Sequence, residues 1–107
     1  MTVDWTEPAS AQLQAARDSL ARSSPGYAVA LADRVVRRTE RLAVMPLVGA
    51  EVPEYPGAGV REVYEHPYRI LYRVAGNVVL VVAVVHAARR LPRFEGQPVG
   101  VLGCGAG

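Results

Sequence analysis

The sequence predicts an α+β domain in which an N-terminal strand and a helical hairpin pack on an antiparallel sheet of three to four strands. Three observations lead there. Two consecutive amphipathic stretches of helical period occupy the first half of the chain. Three strand-like segments crowd the second half, from Val60 to His86. Between the halves lies a single run rich in proline and glycine. Helices and strands are thus segregated along the chain, not alternated as a parallel sheet requires.

The elements follow in order. Val3-Asp4-Trp5 has the composition of a short strand. Thr6 stands where a helix N-cap belongs, with Glu7 and Pro8 suited to the first turn. Ala9, Leu13, Ala16 and Leu20 recur at spacings of four, three and four, which is one apolar helical stripe. Ser23-Ser24-Pro25-Gly26 ends that helix, and Ser24 with Pro25 opens a second one expected from about Gly26 to Val44. The second helix turns Ala28, Leu31, Ala32, Val35 and Leu42 to the core and Arg34, Arg37, Arg38 and Arg41 away from it. The link between the helices is short, so they are expected to lie antiparallel.

Met45-Pro46 stops the second helix. The stretch 46–59, PLVGAEVPEYPGAG, holds three prolines and three glycines and is expected to lack regular structure. A loop of this length in a compact domain is often functional. Val60–Glu65 and Pro67–Val74 then alternate as strands do. In the second, Tyr68, Ile70, Tyr72 and Val74 share one face, while Arg69, Leu71 and Arg73 share the other. Gly76-Asn77 signals a hairpin. The last strand, NVVLVVAVVH, is apolar on both faces and so belongs in the middle of a covered sheet. Simple alternation puts His86 on the face of Val78, Leu80, Val82 and Val84, and makes Tyr64, Tyr68 and Tyr72 core aromatics. One domain is expected over 1–95, followed by a glycine-rich, disordered tail over 96–107.

Composition narrows the function. At 107 residues and 50% apolar, the chain holds one modest core. No apolar stretch reaches the roughly 20 residues of a membrane span, and the opening MTVDWTEPAS has no secretory pattern, so a cytoplasmic location is expected. The lone Cys104 forms no internal disulfide. His66 and His86 lack the converging acids of a metal site, and no cofactor motif appears. All 12 basic residues are arginine, whose rigid fork suits phosphates and carboxylates, although a GC-rich genome produces the same bias without functional cause.

Four pieces in order carry a resemblance. They are W-T-E-P-A-x-x-x-L, L-x-x-x-P-L-V-G, R-E-V-Y-x-x-P-Y-R-I-L-Y-R-V and V-x-V-V-H-A-A-R-R. Together, from Val3 to about Pro92, they resemble the RelE/ParE family, the toxins of type II toxin–antitoxin modules often described as plasmid stabilisation proteins. The resemblance implies the fold above and neutralisation by a cognate antitoxin, an acidic segment that folds on the toxin. Arg34, Arg38, Arg61, Arg73 and Arg90 would then supply the complementary charge.

It also implies one of two modes of growth inhibition. RelE- and YoeB-like members cut messenger RNA on the ribosome without a metal. On that reading Arg69 and Arg89 match phosphate-clamping arginines and His86 lies near the position of a proton donor. Glu62, however, occupies a stretch where such enzymes place lysines, and ARRLPRFEG lacks their tyrosine. ParE-like members inhibit DNA gyrase by binding; they share the R-E strand, the Y-R-I strand, the terminal H-x-x-R pattern and a long helical hairpin. The ParE-like reading is preferred, with the messenger RNA interferase as the alternative. Each arginine also has a plainer role open to it. Arg69, set among core residues, needs solvent or an acid such as Glu62 for its head, and His86 suits an ordinary strand end.

Overall fold

A computed structural model of the chain describes residues 1–89 and 91. It contains β1 (Thr2–Trp5), α1 (Glu7–Ala21), α2 (Pro25–Glu40), a 3₁₀ turn (Arg41–Ala43), β2 (Ala50–Glu51), β3 (Arg61–Glu65), β4 (Tyr68–Ala75) and β5 (Val78–His86). The strands form one five-stranded sheet in the order β1-β5-β4-β3-β2. The α+β class and the helical hairpin are as expected. The sheet is larger than three to four strands because the proline-rich loop contributes β2, and it is mixed because β1 runs parallel to β5.

Local chemistry accounts for the helices. The Thr6 hydroxyl accepts the Ala9 N–H at 3.2 Å, so one of the four unpaired donors of the α1 N-terminus is satisfied. α2 starts on Pro25 after Ser24 and is shorter than anticipated. Its last turn tightens to 3₁₀ over Arg41–Ala43 before Pro46 forbids continuation. Ala9, Leu31, Val35 and Leu42 press on Val63, Ile70, Tyr72, Val79, Val81 and Val84 of the sheet, with Leu13, Leu20 and Tyr68 at the margin. Fully burying an aliphatic side chain is worth roughly 1.5–3 kcal/mol, so this layer supplies much of the folding free energy.

The other sheet face is covered by the loop itself. Val52, Tyr55 and Val60 are buried against Leu71, Val82, Ala83, Val85 and Leu91, forming a second small core. The loop folds back through Tyr55 N–H to Val52 O (3.0 Å), Ala58 N–H to Tyr55 O (3.2 Å) and Val52 N–H to Val60 O (3.1 Å). The apolar character of β5 on both faces is thereby explained, since one side meets helices and the other meets the loop.

Alternation fails at one place in β5. Leu71 pairs with Ala83, but the next residue, Tyr72, pairs with Val81, leaving Val82 as an extra residue in a β-bulge. Before the bulge Val79 and Val81 face the helices; beyond it Val84 does. Leu80 and Val82 therefore face the loop side, and His86 does not continue their face. Among the tyrosines, Tyr72 is fully buried and Tyr68 lies at the core margin. Tyr64, contrary to expectation, is 55% exposed, because it stands on the loop side beyond the loop's cover.

The outer edge of β5 is closed without a further strand. Past Trp5, the Thr6 N–H donates to Val81 O at 3.0 Å and the Gln12 carboxamide oxygen of α1 accepts the Val84 N–H at 2.8 Å. A side chain thus occupies an edge that would otherwise offer itself to another chain.

Candidate functional site

Arg69 lies in β4 opposite Tyr64 of β3 and Val85 of β5, so its side chain is on the loop face of the sheet. It is 4% exposed and ringed by acids. Its Nε donates to Glu62 Oε1 at 2.7 Å, and Nη1 and Nη2 donate to the two Glu54 oxygens at 2.8 Å each. The fork–carboxylate match with Glu54 is the bidentate geometry that makes arginine pairs strong. Glu62 is equally buried, so the triad is a structural ion cluster linking β3, β4 and the loop. Glu54 also accepts the Leu91 N–H at 3.4 Å and so reaches the segment after β5.

The electrostatics follow from that geometry. Hydrogen bonds from Arg69 hold the Glu54 carboxyl down to about 2, overcoming the opposing effect of burial. Arg69 is pushed above its ordinary value, first by the Glu54 hydrogen bonds. Burial raises the neighbouring Tyr55 phenol. Because the folded-state value of Glu54 lies below the unfolded one, its contribution is fully present above pH ~4.5 and is lost as pH falls toward 2. A stability loss on the order of 3 kcal/mol is expected over that interval. Urea melts of the wild type and Glu54→Gln between pH 6 and pH 2.5 check this, and an acid dependence as steep in Glu54→Gln as in the wild type would refute it.

The expected site residues separate. Arg69 and Arg89 line one cleft of about 300 Å³, together with Pro53, Glu54, Tyr64, Ala87 and Ala88. His86 is elsewhere. Paired with Tyr68, it lies on the helix side, its ring edge-on to that tyrosine at 5.6 Å, with Nδ1 accepting the Ala88 N–H at 3.1 Å. Arg89 is exposed, its N–H bonded to His86 O at 2.9 Å in the turn after β5. Arg90 lies outside the described residues, as does the 96–107 tail.

The other arginines have distinct settings. Arg34 reaches from α2 to Glu65 (3.3 Å) and to the His66 carbonyl (3.4 Å), an exposed contact of small energetic weight. Arg38 and Arg73 are half-buried and, among the described residues, without an acid partner. Arg61 is a brace: its Nη1 donates to Leu47 O at 3.3 Å and Gly49 O at 2.7 Å. Beside it the Tyr72 hydroxyl accepts the Gly49 N–H at 2.9 Å and donates to Pro46 O at 2.8 Å.

Two contributors escaped the sequence reading. Glu54, hidden in an irregular loop, is the main partner of Arg69. Its one signal is that an arginine fork among core residues offers more donors than Glu62 alone accepts. Gln12 looks like an ordinary exposed helix residue and shows no signal at all.

Comparison with known proteins agrees with this picture. The family model described as the ParE toxin of type II toxin–antitoxin systems, parDE, matches residues 3–91. A chain in a solved structure of the chromosomal ParDE toxin–antitoxin system from P. aeruginosa superposes with a TM-score of 0.70 at 25% sequence identity, covering 80% of this chain and 95% of that one. No match is found among curated proteins.

Proposed function

This chain belongs to the ParE toxin family of type II toxin–antitoxin systems, and on that premise we propose that it arrests growth by binding and poisoning DNA gyrase until a cognate antitoxin neutralises it. One observation carries the choice of mechanism. Arg69, the arginine that a ribonuclease reading needs as a phosphate clamp, is already held by Glu54 and Glu62.

The Arg69 fork is committed to those carboxylates, so a phosphate brought to that cleft would find Arg89 as its one uncommitted guanidinium among the described residues. Arg69 and Arg89 together balance Glu54 and Glu62, so the charges in and behind the cleft sum to zero. His86, the remaining proton-transfer candidate, is on the opposite sheet face. Proton donor and charge clamp must converge within hydrogen-bonding reach of one reacting group, and these residues do not. A binding toxin needs no such convergence.

On this reading Arg89, with Arg90 beside it in sequence, is offered to the target from the end of β5, where a loop after a rigid strand suits recognition. The chain acts in the cytoplasm, where gyrase is found; among the described residues no helix is long and apolar enough to cross a membrane.

Induction in the absence of antitoxin tests the mechanism. Covalent gyrase–DNA cleavage complexes should accumulate while transcripts stay intact. Messenger RNA cleaved within translating ribosomes, without such complexes, would replace this reading with the interferase one.

A further inference from the structure

The turn after β5 crosses from one face of the sheet to the other. His86 ends the strand on the helix side, edge-on to Tyr68, and takes no part in the ion cluster. Arg89, at the far side of the crossing, lines the cleft on the loop face. The H-A-A-R spacing thus joins two residues that face opposite ways.

Consecutive backbone donors fix the crossing. The Ala87 N–H donates to Pro67 O at 2.8 Å, the Ala88 N–H to His86 Nδ1 at 3.1 Å, and the Arg89 N–H to His86 O at 2.9 Å. His86 supplies the second and third of these acceptors. Past the crossing, Leu91 is buried and its N–H reaches Glu54 Oε2 at 3.4 Å. The segment is tied at both ends, and between the ties the Arg89 side chain is exposed, with no acid partner among the described residues.

A side chain that accepts the N–H two residues further on closes a local turn, as Asn and Asp routinely do. Histidine does it here through Nδ1, and packing against Tyr68 orients the ring. A cation on a turn already folded loses less conformational entropy when a partner engages it.

We propose that His86 is the positioning residue for Arg89: its ring acceptor and its carbonyl fold the 87–89 turn so that the guanidinium is presented at the loop-face cleft to the toxin's target. The proposal rests on the reading of Arg89 as a target contact.

The test is growth arrest by the full chain in cells without antitoxin, the toxin level being titrated by inducer and read by immunoblot. His86→Ala, and His86→Gln with its acceptor one bond further out, should raise the level needed for arrest about 10-fold, the upper end for one lost hydrogen bond. His86→Asn returns an acceptor to the place of Nδ1 and should stay within about threefold of the wild type. Added to Arg89→Ala, His86→Ala should change nothing further, since a residue that acts only through Arg89 is silent once Arg89 is gone. Melting curves of the variants should match the wild type, because His86 is exposed. Should His86→Ala not fold, His86→Gln, which keeps bulk beside Tyr68, takes its place in every comparison.

His86→Ala at wild-type potency overturns the proposal. So does His86→Asn as weak as His86→Ala, because the acceptor would then not be what matters. Losses that multiply when His86→Ala is added to Arg89→Ala overturn it too, by giving His86 a target contact of its own. Arg89→Ala at full potency refutes the reading of Arg89 and the proposal with it. Growth arrest without gyrase–DNA cleavage complexes refutes the choice of gyrase alone, since the order of the variants does not depend on which target is hit.

Discussion

Arg69→Ala is expected to destabilise the protein by about 3–5 kcal/mol, because it leaves Glu54 and Glu62 buried without their counter-charge. A domain of this size has on the order of 5–15 kcal/mol in total, so the loss is a large fraction of its stability. The effect would come from stranded carboxylates more than from the lost side chain. Removing all three charges together should therefore restore much of the fold. Arg69→Met combined with Glu54→Leu and Glu62→Leu replaces the cluster by apolar groups of similar bulk, an exchange that is often neutral or favourable.

Equilibrium urea unfolding of the single and triple variants measures this. A single variant as stable as the wild type would show that the cluster contributes little. The triple variant also separates structure from chemistry. If it folds and remains toxic, Arg69 is purely architectural. If it folds and loses toxicity while still binding the antitoxin, the charged cluster contributes to target binding.

Gly49→Ala should be nearly as damaging, at about 3 kcal/mol. A Cβ at this position would stand 2.5 Å from the Tyr72 hydroxyl, 2.7 Å from the Glu62 carbonyl oxygen and 2.8 Å from Tyr72 Cε1. Neither neighbour can yield. The Glu62 carbonyl is backbone in β3, and Tyr72 is fully buried with its hydroxyl engaged at both Pro46 and Gly49. Relief requires displacing the turn, so overpacking is compounded by broken hydrogen bonds. Thermal melts report the loss. An unchanged melting temperature would mean that the turn is not held against β3 and β4 as described.

These two residues differ in how visible they are in the sequence. Arg69 alternates with Ile70 and Leu71 in a strand, so its need for an acid is evident, and Glu62 is a natural candidate. Glu54 is not, because nothing local ties position 54 of an irregular loop to position 69 of a strand. Gly49 looks like one more loop glycine. Its constraint is neither conformational freedom nor turn type but the approach of Tyr72 from 23 residues away.

The same division holds for the fold. Helical periodicity places α1 and α2, and strand alternation places Tyr68, Ile70, Tyr72 and Val74 on one face, since each pattern is complete within its own segment. The apolar run in β5 correctly marks a strand covered on both sides. That uniformity also conceals the bulge at Val82, because a run without polar residues has no phase in which a slip could show. Alternation read straight through the bulge therefore groups His86 with Leu80 and Val82, whereas it shares the helix side with Val84.

The α+β class, the hairpin, the interior place of β5 between two strands and the motifs that mark the toxin family are legible along the chain, since all of these are written in short-range periodicity and ordered residue patterns. It takes the folded molecule to bring β1 alongside β5 in parallel, to make the proline-rich loop the second wall of the core, and to occupy Arg69 with Glu54 and Glu62. Each of those outcomes depends on contacts between distant segments, and the free energy of burying or pairing a group exists only once its partner has arrived.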